Sequence, residues 1–188
     1  EMIVLAARPG MGKTSFALNI AENVAAQRKV PVLIFSLEMS SHSLVRRMIC
    51  AHAKVNSHDV RRGKLYAEDR SRILNAGAVL HDLPIWIDES SRLTPMQVRA
   101  RARRVFGETG AFDGLIIVDY LQMMDAVAED AGMHIESRQQ EITSISRGIK
   151  AVAKDLNVPV LVLSQLSRAP ERRDTAAKTQ GGSKPRLS

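Results

Sequence analysis

Residues 7–14 carry the most specific chemistry in this chain, and they read Ala7-Arg8-Pro9-Gly10-Met11-Gly12-Lys13-Thr14. They follow a short apolar run and precede a segment with helical spacing. A strand, a turn ending in Gly-Lys-Thr and a helix match the phosphate-binding pattern Gly-x-x-x-x-Gly-Lys-Ser/Thr, except that Ala7 stands at the first glycine. The segment therefore predicts that the protein binds a nucleoside triphosphate.

The residue types in this loop suit a phosphate ligand. Backbone N–H groups at residues 10–13 can point into one concavity, and the helix that follows adds the positive end of its dipole. Gly12 allows close approach of the backbone, Lys13 neutralises the β and γ phosphates, and the Thr14 hydroxyl completes the coordination of Mg²⁺. The predicted nucleotide-binding residues are Ala7, Arg8, Pro9, Gly10, Met11, Gly12, Lys13, Thr14 and Ser15. The alternative is that glycine and proline only mark a turn.

Acidic residues follow two other apolar runs. Asp119 closes the run at residues 115–118, where a carboxylate can hold magnesium opposite the phosphate loop or can instead cap a turn. Glu38 follows Phe35-Ser36-Leu37, and its carboxylate can polarise the water that attacks the γ phosphate. The alternative for Glu38 is a solvated position in the first turn of a helix, where a negative charge favours the dipole.

Other polar residues at the ends of apolar runs complete the set. Asp88 and Glu89 are rivals of Glu38 for the activation of water. Gln165 can hydrogen-bond the γ phosphate and report its loss through Arg168, or it can satisfy backbone groups. The predicted catalytic residues are Glu38, Lys13 and Gln165, and the predicted metal ligands are Thr14 and Asp119.

Five apolar runs separated by helical patterns must position these residues. The predicted strands are residues 2–6, 31–36, 84–88, 115–119 and 158–164, and the first is expected to be buried. The predicted helices are residues 13–28, 41–53, 58–62 and 67–81, a fifth with a capping box at Thr94-Pro95-Met96-Gln97, and a sixth opened by Ser137-x-x-Gln140. In the first helix, Phe16, Ile20 and Val24 are spaced for one face.

This alternation predicts the α/β class, with a mainly parallel sheet covered by helices on both faces. Ligands of such sheets bind at the carboxyl ends of the strands. The phosphate loop, Glu38, Asp119 and Gln165 should therefore converge on one site.

Length and composition place limits on the protein. The 188 residues suit a single domain, and the abrupt ends lead us to expect a longer protein truncated at both sides, with residues 168–188 as a basic mobile loop. Cys50 is alone and is expected to be a buried thiol of a cytoplasmic protein. The apolar runs are too short to span a bilayer, so no membrane association is expected.

The net charge of +7 predicts a polyanionic partner. Because aromatic residues make up only 4% of the chain, contacts to nucleic acid should be mainly to phosphates. A basic set on the fifth helix is expected to be a solvated or subunit-facing surface: Arg99, Arg101, Arg103 and Arg104. The loop at residues 125–136 is net acidic.

Four motifs, in this order, resemble the carboxy-terminal motor domain of the bacterial replicative DNA helicases, the DnaB family. They are the phosphate loop, Phe35-Ser36-Leu37-Glu38-Met39, Val118-Asp119-Tyr120-Leu121-Gln122 and Leu163-Ser164-Gln165-Leu166-Ser167-Arg168. The resemblance covers essentially the whole chain. Alanine at the position of Ala7 is common in that family.

The resemblance implies a RecA-like P-loop fold, ATP hydrolysis with Mg²⁺, a homohexameric ring and movement along single-stranded DNA at the replication fork. It gives phosphate binding to Lys13, the metal to Thr14 and Asp119, water activation to Glu38 and nucleotide sensing to Gln165. In the full-length protein it implies contacts with primase and a helicase loader. Two alternatives stay open: a RecA-like recombination or repair ATPase, and a nucleotide-gated regulatory module without translocation.

Overall fold

The computed structural model describes residues 1–111, 113–125 and 138–166 of the chain. Five strands form one sheet: β1 (Met2–Ala7), β2 (Val32–Ser36), β3 (Ile85–Asp88), β4 (Leu115–Asp119) and β5 (Val160–Gln165). Their order is β1-β5-β4-β2-β3, and every neighbouring pair is parallel. All strands therefore end at the same edge of the sheet.

The helices that connect the strands are α1 (Lys13–Arg28), α2 (Ser41–Ala53), α3 (Ser57–Arg62), α4 (Ala67–His81), α5 (Pro95–Thr109) and α6 (Arg138–Leu156). A short 3-10 turn at Leu121–Met123 follows β4. The predicted capping box at the start of α5 is present, because the Thr94 hydroxyl accepts from the Gln97 N–H and the Gln97 side chain accepts from the Thr94 N–H. Ser137, predicted to open α6, lies outside the described residues.

Two apolar cores lie on opposite faces of the sheet. Leu33 and Phe35 of β2 join the core beneath α5 and α6, whereas Val32 and Ile34 join the core beneath α1 and α2. This alternation is the period of two along a strand. The predicted fold class, a mainly parallel sheet with helices on both faces, is confirmed.

Prolines explain where the strands begin. Strands β2, β3 and β5 were expected to include Pro31, Pro84 and Pro159, but each begins one residue after its proline. Proline has no N–H to give to a ladder. Its carbonyl still accepts, as in the bonds from the Val32 N–H to the Pro84 carbonyl and from the Leu115 N–H to the Pro31 carbonyl, at 2.8 and 3.0 Å.

The prediction that the first strand is buried was wrong. Strand β1 lies at an edge of the described sheet, and Ile3 and Val4 are 53% and 50% exposed. Phe16 is also 56% exposed, because α1 turns Ala17, Leu18, Ala21 and Ala25 towards the sheet instead. Residues 16, 20 and 24 have the same spacing as residues 17, 21 and 25, so periodicity alone did not select the buried face.

Candidate active site

Two glycines shape the loop between β1 and α1. Gly10 and Gly12 have φ of +76° and +83°, and a Cβ atom at either position would meet nothing within 4 Å. The backbone conformation, rather than lack of space, therefore favours glycine there. Ala7 is the last residue of β1 and is not among the described residues with positive φ, so the position of the missing glycine accepts a methyl group.

The amino terminus of α1 is open to an anion. Gly12 is its N-cap residue, no side chain caps it, and its first turn has no acidic residue. The N–H groups of that turn and the helix dipole are therefore available to phosphate oxygens. Lys13 lies in the same turn, and its Nζ donates to the carbonyl of Ala7 at 3.0 Å, across the mouth of the loop.

Thr14 and Asp119 meet although they are far apart in the sequence. The Thr14 Oγ1 hydroxyl donates to Asp119 Oδ2 at 2.7 Å. Adjacent oxygen ligands of Mg²⁺, each about 2.1 Å from the ion, lie about 3 Å apart, so this pair fits one edge of an octahedral shell. The described residues contain no group of three or more His, Cys, Asp or Glu that could hold a metal, so the remaining ligands would be water and phosphate oxygens.

Asp119 is a buried acid, with only 4% of its surface exposed. Burial raises the pKa of its carboxyl group, and the hydrogen bond from Thr14 and the charges of Lys13 and Arg47 act in the opposite direction. A buried carboxylate that faces two cations and a hydroxyl is well suited to hold a cation.

Glu38 is held at the end of β2 by a short turn. The Ser36 hydroxyl donates to the Met39 carbonyl at 2.7 Å and accepts from the Met39 N–H, and the Leu37 N–H donates to the Asp119 carbonyl at 2.8 Å. These bonds tie the segment that carries Glu38 to β4. The Glu38 side chain is exposed and lines the cavity above the phosphate loop. Within the described part of the chain it forms no hydrogen bond or salt bridge.

The two rival carboxylates have other partners. Asp88 Oδ2 accepts from Arg101 Nη1 at 2.5 Å, and the Glu89 carboxylate accepts from the Ser41 N–H at 2.6 Å, at the start of α2. Burial alone would raise the pKa of Asp88, but hydrogen bonds from Ser90 and Arg101 outweigh it and hold that pKa below its usual value. Neither residue lines the cavity above the phosphate loop.

Gln165 is the last residue of β5, and Gln122 holds its backbone. Gln122 Nε2 donates to the Gln165 carbonyl at 3.1 Å and to Ser164 Oγ at 2.9 Å, while Gln122 Oε1 accepts from the Gln165 N–H at 3.3 Å. The side-chain amide thus continues the β4–β5 ladder after the main-chain pairing ends at Val118 and Val162. Arg138, at the described start of α6, donates to the Gln122 carbonyl.

The cavity above the loop has a volume of about 390 Å³. The residues that line it are Pro9, Gly10, Met11, Gly12, Lys13, Thr14, Ser15, Glu38, Met39, Arg47, Asp119, Tyr120 and Gln165. Three of them, Met39, Arg47 and Tyr120, were not among the predicted site residues, and the others were. Ala7 and Arg8 are not part of this described lining. Arg47 comes from α2, outside every motif that predicted the site, and only the packing of α2 brings it to this cavity.

The basic residues of α5 lie elsewhere and are largely paired. Arg99 contacts Asp155 at 3.1 Å, Arg101 contacts Asp88, and Arg104 contacts Glu108 at 3.8 Å. Arg168 and the basic segment that follows it lie outside the described residues, as does most of the acidic loop at residues 125–136. Among the described helices, none is long and apolar enough to cross a membrane.

Comparison with known proteins agrees with this arrangement. The sequence model of the family described as "DnaB-like helicase C terminal domain" matches residues 1–182. The chain is 46% identical over 173 residues to the replicative DNA helicase DnaB of Geobacillus stearothermophilus. The aligned residues make up 92% of this chain. It spans only 37% of the length of that relative.

Solved structures show the same fold. One of them, an ATPase domain, superposes with a TM-score of 0.82 at 30% identity, over 92% of this chain and 59% of that one. A DnaB-like replicative helicase, studied with its interactions with primase, superposes with a TM-score of 0.83 at 29% identity, over 100% of this chain and 42% of that one. The RecA-like arrangement of the sheet is therefore shared with helicase ATPase domains.

Proposed function

Because this chain belongs to the DnaB-like helicase C-terminal domain family, we propose that it is the ATP-dependent motor domain of a replicative DNA helicase. It hydrolyses ATP with Mg²⁺ and uses the energy to move along single-stranded DNA and separate a duplex at the replication fork. It acts as a homohexameric ring, and in the full-length protein it works with primase and a helicase loader. The net charge of +7 supports a polyanionic track.

One observation carries this proposal: residues from four separate strand ends line a single cavity. Lys13 and Thr14 follow β1, Glu38 follows β2, Asp119 ends β4 and Gln165 ends β5. A structural turn at residues 7–14 would not require a free carboxylate and a buried acid on the same cavity. Phosphoryl transfer to water requires both, together with the phosphate-binding loop.

The chain's own residues divide the chemistry among them. The amino terminus of α1 and the Lys13 side chain bind the phosphates. When the nucleotide binds, Lys13 Nζ donates to a phosphate oxygen in place of the Ala7 carbonyl. Thr14 and Asp119 would hold Mg²⁺, which supplies neutralisation of the charge that develops on the phosphate oxygens. Glu38 orients a water molecule and accepts its proton as the oxygen attacks the γ phosphorus. Gln165 and Arg47 hydrogen-bond the γ phosphate.

Gln165 is also suited to transmit the state of the nucleotide. Its backbone is bonded to Gln122, and Gln122 in turn accepts from Arg138 at the described start of α6. Loss of the γ phosphate removes one partner of the Gln165 side chain, so β5 and the residues after it can shift relative to β4. This is the role proposed for Gln165 as a sensor.

Strand separation on a forked duplex tests the function. Full-length protein is incubated with the fork, ATP and Mg²⁺, and release of the labelled strand is followed. We expect unwinding by the wild-type protein and none by Lys13→Ala, which should also lose nucleotide binding. Failure of the wild-type protein to unwind under any loading condition, with nucleotide binding intact, would support the regulatory module instead.

A further inference from the structure

A second cavity adjoins the candidate nucleotide cavity. It has a volume of about 430 Å³, and Ser15, Met39 and Arg47 line both cavities. Ser15 directly follows Thr14, and Met39 directly follows Glu38. The second cavity therefore begins immediately behind the residues proposed to face the metal and the attacking water.

The lining of the second cavity is cationic. Arg46 and Arg47 of α2 and Arg61 of α3 all contribute to it, and no acidic residue among those described lines it. None of the three arginines forms a salt bridge within the described part of the chain. By contrast, the arginines of α5 at positions 99, 101 and 104 each have a carboxylate partner.

Three like charges around one cleft repel each other, and a cleft lined by charges of one sign concentrates the opposite ion. Guanidinium groups match the oxygens of phosphate in charge and hydrogen-bonding geometry. A small anion of high charge would therefore stabilise this cluster.

We propose that the Arg46–Arg47–Arg61 cavity binds the orthophosphate released by hydrolysis, as an exit subsite beside the catalytic cavity. This inference rests on the proposed hydrolysis of ATP, in which water adds to the γ phosphorus and the bond to the bridging oxygen breaks, leaving ADP and orthophosphate. Arg47 borders both cavities and passes the anion from the first to the second. The phosphate can then leave while ADP is still bound.

Product inhibition provides the kinetic test. ATP hydrolysis by full-length protein is measured at increasing orthophosphate for the wild type, Arg61→Ala and Arg62→Ala. Arg62 is the matched control, because it is the next residue of α3 and does not line the cavity. We expect Arg61→Ala to weaken phosphate inhibition about tenfold, the size of one lost charge-assisted hydrogen bond, with an unchanged KM for ATP. Equal inhibition in all three proteins would overturn the proposal.

Direct binding separates this proposal from the proposed function. Calorimetric titration with orthophosphate is done on protein saturated with a non-hydrolysable ATP analogue and Mg²⁺, so that the first cavity is filled. Binding by the wild type and Arg62→Ala, and about tenfold weaker binding by Arg61→Ala, supports the exit subsite. No phosphate binding to the analogue-loaded wild type would overturn it.

The remaining outcomes also discriminate. If the analogue itself does not bind, the phosphate-loop assignment fails. The second cavity is then still tested by titrating orthophosphate alone into Arg61→Ala and Arg62→Ala and comparing their affinities. If Arg61→Ala weakens binding of single-stranded DNA and leaves phosphate binding unchanged, the arginine cluster contacts the nucleic acid, and the proposal is wrong.

Discussion

Carboxylates that follow strands differ in this protein mainly in their partners. Glu89 accepts from the Ser41 N–H and Asp88 is paired with Arg101, so both have structural roles. Glu38 has no partner among the described residues and borders the cavity that Lys13 also lines. A general base must be free to accept a proton from water, so the lack of a partner favours Glu38 over its rivals.

Glu38→Gln tests this assignment. The amide keeps the size of the side chain but cannot accept a proton as a carboxylate does, so DNA-stimulated ATP hydrolysis should fall by a factor of about 10² or more. Nucleotide affinity, measured with a fluorescent ATP analogue, should not change. Glu89→Gln is the control and should retain hydrolysis. Normal turnover by Glu38→Gln would contradict the catalytic role.

Arg101→Ala tests the structural role of Asp88. The substitution leaves a partly buried carboxylate without its cation and should cost on the order of 1 kcal/mol in the free energy of unfolding at pH 7. The pKa of Asp88 is lowered in the folded protein. The stabilisation by the ion pair is therefore fully present above the pKa that Asp88 has in the unfolded chain, and it is lost as the pH falls through the lower pKa of the folded protein.

The difference between wild type and Arg101→Ala, followed by urea denaturation, should therefore shrink in acid. Arg103→Ala is the matched control, since Arg103 is exposed on the same helix and forms no salt bridge within the described residues. A destabilisation that is the same at pH 7 and in acid would show that the ion pair is not its cause.

At the scale of elements, α5 and α6 approach each other closely at one glycine. A Cβ atom on Gly148 of α6 would lie 2.7 Å from Cγ of Pro95, the first residue of α5. A proline ring cannot move aside as a flexible side chain can. The pair therefore sets the distance between these helices, which cover one core of the sheet.

Gly148→Ala should destabilise the protein, although alanine normally favours a helix. Overpacking against the Pro95 ring should cost roughly 1–3 kcal/mol and exceed the gain in helix propensity. Gly77→Ala in α4 is the control, because a Cβ atom there meets nothing within 4 Å, and it should stabilise by up to about 1 kcal/mol. Thermal unfolding of both variants gives the comparison. A rise in Tm for Gly148→Ala would contradict the close contact.

At the scale of the whole molecule, the cavity above the phosphate loop has few positive charges. Lys13 and Arg47 are the only cationic residues among its described lining. A triphosphate in its transition state needs more neutralisation than these residues and one Mg²⁺ supply. We infer that a neighbouring subunit provides the remaining cation, as a ring would allow.

Particle images of the full-length protein with Mg²⁺ and a non-hydrolysable ATP analogue should therefore show closed six-membered rings. Rings are expected from the inference that a neighbouring subunit completes each site, because closure of a ring would then complete all of the sites. Open filaments on DNA would favour the recombination or repair ATPase.

Local chemistry made much of this protein predictable. The phosphate loop, the carboxylates that follow strands and the alternation of strand and helix depend on short-range patterns, and parallel strands necessarily end at one edge. The bounds of α1, α2 and α4 could be read for the same reason, since caps and helical periodicity are local.

Only the tertiary structure decided which of these residues meet and what they lack. Strand order placed β1 at the described edge and exposed Ile3, and the rotation of α1 turned Phe16 outward, because periodicity does not specify which face is covered. The sequence alone predicted a phosphate-binding loop between β1 and α1. The pairing of Thr14 with Asp119, and the lack of a partner for Glu38 among the described residues, depend on long-range packing, which no local pattern encodes.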